Sequence, residues 1–129
     1  MFADLDNFKG VNDTKGHLFG DQVLKLFARL TGELLRRSDI VARYGEDEFV
    51  FILVNMTPGD AEQVAGRLQA RFAQWAEQQG AKVSVSFGIA AVPDGLIDLD
   101  RLLQHVDRAL YEAKSHESKQ QVVIAPPLT

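Results

Sequence analysis

Acidic residues occur at two places where apolar runs end or begin. Asp4 and Asp6 end the first apolar run of the chain, and Asp47 and Glu48 follow a glycine in "RYGEDEFV" (43–50). Two or three carboxylates, completed by phosphate oxygens, are the usual ligands of one or two Mg²⁺ ions. Acidic hairpin turns are also common, so residue types and spacing leave both a metal site and an ordinary turn open.

Four further polar residues could contact a nucleotide. Lys9, which we place in a loop after the first strand, and Lys114 could each meet a phosphate as a point charge or lie in solvent. Asn12 and Asp21 bound a polar, glycine-containing stretch (12–21) that we also interpret as loop. These two side chains could read the Watson–Crick edge of a purine, or Asp21 could be a simple helix N-cap.

Several other kinds of chemistry find no support in the sequence. None of the three histidines has a partner at metal-ligand or triad spacing, and Ser84 and Ser86 lie on a strand without a nucleophile-elbow pattern. The absence of cysteine excludes disulfides and thiolate metal sites. Covalent nucleophilic catalysis is therefore not indicated.

Composition bounds the partners and the location. The formal net charge of −4 argues against broad nucleic-acid or membrane-surface binding, although a nucleotide held together with a metal remains compatible with it. No apolar run approaches bilayer length, and no signal-peptide pattern is visible. We expect a cytoplasmic protein with no nucleic-acid partner.

Strands and helices alternate in the order β-α-β-β-α-β followed by α-β. This order predicts an α+β fold of the ferredoxin-like split βαβ type, with a central antiparallel sheet flanked by helices. The first strand and the hairpin are neighbours in such a sheet, so we expect Asp4 and Asp47 to converge at one edge. Strands are expected at 2–5, 39–44, 48–54, 82–90 and 121–125, and helices after Asp21, from Pro58 to Gly80 and from about Leu99.

Four motifs, in their order and spacing, resemble the GGDEF domain of the diguanylate cyclase family. They are "DLDNFKGVNDTKGHLFGDQVL", "RYGEDEF", "VSVSFGIA" and "VDRALYEAK", and the resemblance extends from about Phe2 to about Val123. An ordered set of motifs is far more specific than any one of them. The resemblance implies a fold like that of nucleotidyl cyclases and polymerase palms. It also implies a homodimer that condenses two GTP molecules into cyclic di-GMP and two pyrophosphates with Mg²⁺ or Mn²⁺.

The resemblance implies a metal and catalytic set at the acidic cluster. Asp4 and Asp47 match the metal-binding carboxylates, and the backbone carbonyl of Leu5 matches a further ligand. Asp47, Glu48 and Lys9 match catalytic positions, and Glu48 is expected to support the transition state.

The resemblance implies a substrate set and a product-inhibition site as well. Asn12 and Asp21 match the guanine readers, Lys9 and Lys114 the lysines that contact the triphosphate, and Gly45 a position against the substrate. In "RRSD", Arg36 and Asp39 form the R-x-x-D pattern that binds the product's guanines in relatives. The alternative is a helix C-terminus that merely favours arginine.

The sequence departs from the family pattern at three places. Glu46 replaces the second glycine of the signature, and we expect a type II′ turn with Gly45 at its first central position. Ser118 stands where an arginine is expected against the terminal phosphates, with Lys119 a partial substitute. Only about four residues precede Asp6, which is short for a central strand, so we expect the chain to be a fragment of a longer protein.

These observations predict a single domain over 1–125 with a tail over 126–129, from a longer signalling protein with an upstream sensory domain. The first reading is an active diguanylate cyclase. The alternative hypothesis is an impaired GGDEF domain that binds cyclic di-GMP or GTP as a receptor. The substitutions at Glu46 and Ser118 favour this alternative. A scaffold that binds neither nucleotide is a third reading.

Overall fold

The computed structural model describes residues 1–92, 98–115 and 121–128. Five strands and four helices occur in these ranges, and no helix there combines the length and apolar character needed to cross a bilayer. Ser118, and with it the expected loss of a phosphate contact, lies outside the described residues. The elements are β1 (Phe2–Asp6), α1 (Phe8–Lys15), α2 (His17–Leu34), β2 (Ile40–Arg43), β3 (Glu48–Ile52), α3 (Pro58–Gln78), β4 (Ser84–Ile89), α4 (Leu99–Ser115) and β5 (Val122–Ile124).

The strands form one mixed sheet in the order β2-β3-β1-β4-β5. β1 is central, as predicted, and pairs antiparallel with both β3 and β4. The β2–β3 hairpin is antiparallel as well, whereas β5 joins β4 in parallel. The predicted α+β fold with an antiparallel central sheet is therefore confirmed, with one parallel strand added at its edge.

The prediction of a loop at 12–21 is wrong, and so is the loop position of Lys9. Residues 8–15 form α1 because Phe8 and Val11, three positions apart, give this polar segment a buried face. Gly16, at φ 90°, separates α1 from α2. Asp21 lies inside α2 and is exposed, so the alternative that it caps a helix is also wrong.

Helices α3 and α4 begin where the sequence predicts, and α3 also ends close to the predicted position. Thr57 caps α3 in a reciprocal capping box with Asp60, and Gly80, at φ 63°, follows the end of the helix. The helices α2 and α3 cover one face of the sheet over a core rich in phenylalanine. Its largest fully buried side chains include Phe27, Phe51, Phe72, Phe87 and Leu68.

Helix α4 lies against the sheet at β4, and a glycine sets its distance. An ideal Cβ at Gly88 would lie 2.5 Å from the backbone N of Leu110 and 2.7 Å from the carbonyl oxygen of Val106. Backbone atoms cannot rotate out of the way as the end of a side chain can. Any residue larger than glycine at position 88 would therefore push α4 away from the sheet. This close packing places the last turn of α4 over the end of β1.

We predict that Gly88→Ala destabilises the protein by about 1–3 kcal/mol, because the added methyl overpacks the β4–α4 contact. The control is Gly66→Ala on α3, where an ideal Cβ meets nothing within 4 Å. That change should stabilise the protein by about 0.5–1 kcal/mol through helix propensity. Urea unfolding followed by circular dichroism measures both, and equal effects would contradict the assigned packing.

Candidate metal and nucleotide site

Three carboxylates meet at the end of β1. Asp4 lies opposite Glu48 in the β1–β3 ladder, and the backbone N–H of Leu5 donates to the carbonyl of Asp47 at 2.9 Å. Asp4, Asp47 and Glu48 are half-buried, and each offers a carboxylate oxygen within 4.8 Å of the others. The convergence expected of Asp4 and Asp47 is present, because strand pairing fixes it.

The hairpin that carries Asp47 differs from the expected type II′ turn. In the described chain, positive φ occurs at two asparagines and two glycines, and neither Gly45 nor Glu46 is among them. The connection is wider, and the side chain of Arg43 ties it by donating to the carbonyls of Gly45 at 3.0 Å and Glu46 at 2.6 Å. Glu46 is exposed with an ordinary backbone, so the signature's second glycine is replaced without strain.

A lysine from α4 enters the acidic cluster. The ammonium of Lys114 lies 3.0 Å from Oδ2 of Asp4 and 3.3 Å from Oδ1 of Asp6. Of the two lysines predicted to meet phosphate, Lys114 therefore reaches the cluster. Lys9 is exposed on α1, and within the described ranges it forms no ion pair with Asp4, Asp47 or Glu48.

Asp6 has a place in the site that sequence reasoning did not assign to it. Its Oδ2 accepts hydrogen bonds from Ser86 at 2.7 Å, from Gln121 at 3.0 Å and from Ser84 at 3.2 Å. Asp6 shares a strand face with Asp4, two residues away, and this alternation was the available signal. Its partners come from β4 and from the residue before β5, so local spacing could not show them.

The charges of the cluster are only partly balanced. The pKa of Asp4 is raised, first because burial desolvates its carboxylate and further because Asp47 and Glu48 repel it, while Lys114 acts in the opposite direction. Burial, the largest single influence, lowers the pKa of Lys114, but hydrogen bonds and charges from Asp4 and Asp6 together outweigh it and the pKa is raised. The site thus favours additional positive charge.

The donor set fits a hard divalent cation. Oδ1 of Asp4 is buried and has no hydrogen-bond partner among the described residues, which leaves one carboxylate oxygen free for a ligand. Asp47 and Glu48 lie within reach of the same point. Oxygen donors of this kind suit Mg²⁺ or Mn²⁺.

A second polar group lies where α1 and α2 meet. Oδ1 of Asn12 is buried and unpartnered within the described part of the chain. It fits against Gly20, where an ideal Cβ would lie only 1.8 Å from it, so glycine makes room for the amide. Asp21 follows Gly20 directly on α2 and is exposed.

Arg36 and Asp39 form a fixed unit between α2 and β2. The Asp39 carboxylate accepts from the backbone N–H, Nε and Nη2 of Arg36 and from the backbone N–H of Val54, at 2.9–3.2 Å. Arg36 also donates to the carbonyl of Val54. The side chain of Asp39 is 1% exposed and that of Arg36 is 51% exposed, so the arginine alone has a substantially open surface.

Comparison with protein families and curated proteins gives consistent matches. Residues 1–120 match the family described as "Diguanylate cyclase, GGDEF domain". Diguanylate cyclase DosC of Escherichia coli is 38% identical over 118 residues, covering 88% of this chain and 25% of DosC. Cyclic di-GMP phosphodiesterase PdeR of E. coli is 35% identical over 130 residues, covering 99% of this chain and 20% of PdeR. The chain thus spans a quarter or less of these relatives.

Solved structures share the fold over almost the whole chain. The active GGEEF domain of a diguanylate cyclase from Vibrio cholerae superposes with a TM-score of 0.87 at 29% identity, covering 98% of this chain and 81% of that one. The GGDEF domain of DgcB from Caulobacter crescentus, in complex with c-di-GMP, gives a TM-score of 0.80 at 26% identity, covering 95% and 74%.

The Arg36–Asp39 unit generates a prediction about acid stability. Hydrogen bonding from Arg36, with backbone donors from Arg36 and Val54, lowers the pKa of Asp39. A lowered folded-state pKa gives stability that is complete above the unfolded value, about 3.9, and is lost as the pH falls through the folded value. The advantage of the wild type over Asp39→Asn should therefore be constant above about pH 5 and shrink below about pH 4.

Urea unfolding of both proteins between pH 7 and pH 3 measures this difference in the free energy of unfolding. The titration of all other carboxylates is common to the two proteins and cancels. If the difference in the free energy of unfolding stays the same or grows towards pH 3, the ionised form of Asp39 does not stabilise the folded protein.

Proposed function

This chain belongs to the GGDEF family, and from that membership we propose that it is a diguanylate cyclase domain. It condenses two GTP molecules into cyclic di-GMP and releases two pyrophosphates. The observation that carries the proposal is the convergence of Asp4, Asp47 and Glu48 beside Lys114, with a buried oxygen of Asp4 that has no hydrogen-bond partner among the described residues. Phosphoryl transfer asks for positioning and charge neutralisation more than for a covalent nucleophile, and this site offers both.

Asp4 and Asp47, with the backbone carbonyl of Leu5, would hold Mg²⁺ or Mn²⁺ in this domain. When bound, the metal supplies positive charge against the triphosphate. Glu48 lies beside these ligands on β3 and supports the transition state. Lys114 and Lys9 contact the phosphates. Lys114 does so from its position beside Asp4, and Lys9 from the exposed face of α1.

The guanine is read by Asn12 and Asp21, with Gly45 against the nucleotide. Guanine presents N–H donors on its Watson–Crick edge. Oδ1 of Asn12, which has no hydrogen-bond partner among the described residues, and the exposed carboxylate of Asp21 are acceptors. Each domain holds one GTP, so two copies must meet face to face for each 3′-hydroxyl to reach the other α-phosphate. The homodimer and an upstream regulatory domain are parts of the same proposal.

Product inhibition is assigned to Arg36, with Asp39 in support. The carboxylate of Asp39 already accepts four hydrogen bonds from its own chain, whereas half of the Arg36 side chain is exposed. Arg36 therefore makes the contact with a guanine of cyclic di-GMP. Asp39 holds the guanidinium in place rather than touching the ligand.

A second candidate function is a GGDEF domain that binds cyclic di-GMP or GTP without cyclising. The specific observation in its favour is the 35% identity to PdeR across nearly all of this chain, since PdeR is named for hydrolysis of cyclic di-GMP. Glu46 adds a negative side chain near the nucleotide. Because Glu46 is exposed and unstrained, it does not by itself decide against the enzyme.

We predict that the chain, alone at high concentration and fused to a dimerising coiled coil, forms cyclic di-GMP from GTP with Mn²⁺ or Mg²⁺. Asp47→Asn should lower the rate by about 100-fold or more, because an almost isosteric amide removes one metal-binding charge. Chromatography of the nucleotides measures the product. Glu62→Gln, which removes an exposed charge from α3, is the matched control and should keep the activity.

Two outcomes oppose the enzyme. Product formation that is unaffected by Asp47→Asn would contradict the assigned site. No product from a folded, dimeric fusion that binds cyclic di-GMP would establish the receptor function instead.

Arg36→Ala is expected to weaken cyclic di-GMP binding by about tenfold or more, because the charge-assisted contact from the exposed part of its guanidinium is lost. Arg36→Lys keeps the charge without the planar fork and should recover little of the affinity. Isothermal titration calorimetry with cyclic di-GMP measures both. Wild-type affinity in Arg36→Ala would remove this residue from the product site.

A further inference from the structure

We propose that Lys114 is the resident counter-ion of the acidic cluster. It neutralises Asp4 while the metal site is empty, and it gives up Asp4 but keeps Asp6 when metal and nucleotide bind. The proposal deepens the proposed function, because it takes a divalent metal and a triphosphate as the ligands. It assigns Asp6 as the positioning residue of Lys114.

The cluster needs a positive charge even without a ligand. Three carboxylates that approach within 4.8 Å repel one another, and partial burial deprives them of solvent screening. Lys114 on α4 supplies this positive charge, because its ammonium lies 3.0 Å from Oδ2 of Asp4. Its side chain is 36% exposed, so the ammonium can leave Asp4 without disturbing the core.

Lys114 and a divalent ion compete at Asp4. Lys114 uses Oδ2 of Asp4, while Oδ1 is buried and unpartnered in the described structure. A metal at Oδ1 would place its own charges close to the ammonium, and two cations at one carboxylate repel. Metal binding without nucleotide is therefore weakened by the lysine.

Asp6 does not take part in this competition. Three hydrogen bonds from Ser84, Ser86 and Gln121 fix its Oδ2, and its Oδ1 faces Lys114 at 3.3 Å. Asp6 is also outside the group of carboxylates that share one point. The ammonium thus stays tethered to Asp6 after it leaves Asp4.

A triphosphate changes the balance, because it offers Lys114 a new anionic partner close to the metal. Lys114 then attracts the nucleotide instead of opposing the metal. Metal and triphosphate should consequently bind with positive cooperativity, and by linkage each must favour the other to the same degree. Removing the charge of Lys114 should abolish much of that coupling.

The test is a Mn²⁺ titration of the full chain, followed by electron paramagnetic resonance of free Mn²⁺, with and without a non-hydrolysable GTP analogue. Without nucleotide, Lys114→Gln should bind Mn²⁺ about tenfold more tightly than wild type. With the analogue, this gain should vanish, and the analogue itself should bind more weakly. Lys25→Gln makes the same change in net charge on the exposed surface of α2 and should match wild type.

Equal or weaker Mn²⁺ binding by Lys114→Gln without nucleotide would overturn the proposal. A gain of the same size in Lys25→Gln would also overturn it, because net charge alone would then be responsible. If neither wild type nor Lys114→Gln binds Mn²⁺, both the proposed role of Lys114 and the metal site are contradicted. Failure to form cyclic di-GMP, with the Mn²⁺ gain intact, would instead count only against the proposed enzyme.

The role of Asp6 is tested by a double-mutant cycle on affinity for the Mn²⁺–analogue complex. If Asp6 acts through Lys114, Asp6→Asn should weaken binding of the complex in the wild-type background and have little further effect in Lys114→Gln. Additive losses would show that Asp6 acts independently and would overturn its assignment as a positioning residue. Urea unfolding of each variant separates loss of affinity from loss of folding.

Discussion

Antiparallel pairing of β1 with β3 brings Asp4, Asp47 and Glu48 together, and the rest of the site depends on how their repulsion is offset. Lys114 offsets it in part, and it can do so because Gly88 lets α4 approach the sheet at backbone distance. The fold thus holds a local excess of negative charge where the end of β1 meets the β2–β3 hairpin. Such an excess destabilises an empty site and becomes an advantage when a divalent ion arrives.

Much of this arrangement follows from patterns that sequence reasoning can use. Apolar residues at helical spacing predict α3 and α4 and most of α2, and the order of elements predicts that β1 is central and lies beside the hairpin. Convergence of Asp4 and Asp47 then follows from topology. What the sequence does not reveal depends on contacts between distant residues, such as the hydrogen bonds that join Asp6 to Ser84 and Gln121, 78 and 115 positions away.

Two predictions of local structure, the loop over 12–21 and the type II′ turn, are wrong, and both have a physical cause. Segment 12–21 looks like a loop because it is polar, yet burial of two apolar side chains in α1 outweighs weak local preference. The hairpin avoids positive φ because Arg43 holds a wider connection through the carbonyls of Gly45 and Glu46. That connection explains why the family's second glycine can be exchanged for glutamate here without strain. The R-x-x-D pattern predicts two ligand-binding residues, and it does not reveal that the carboxylate of Asp39 accepts hydrogen bonds from Arg36 and from the backbone N–H of Val54.

The most direct test of a metal site on β1 is to locate bound Mn²⁺ by paramagnetic broadening of backbone amide signals in nuclear magnetic resonance spectra. At substoichiometric Mn²⁺, the amides of residues 4–6 and of Asp47 and Glu48 should broaden first, while those of the acidic first turn of α3 stay sharp. Broadening that begins at α3, or that spreads evenly over exposed carboxylates, would contradict a built metal site where the end of β1 meets the β2–β3 hairpin.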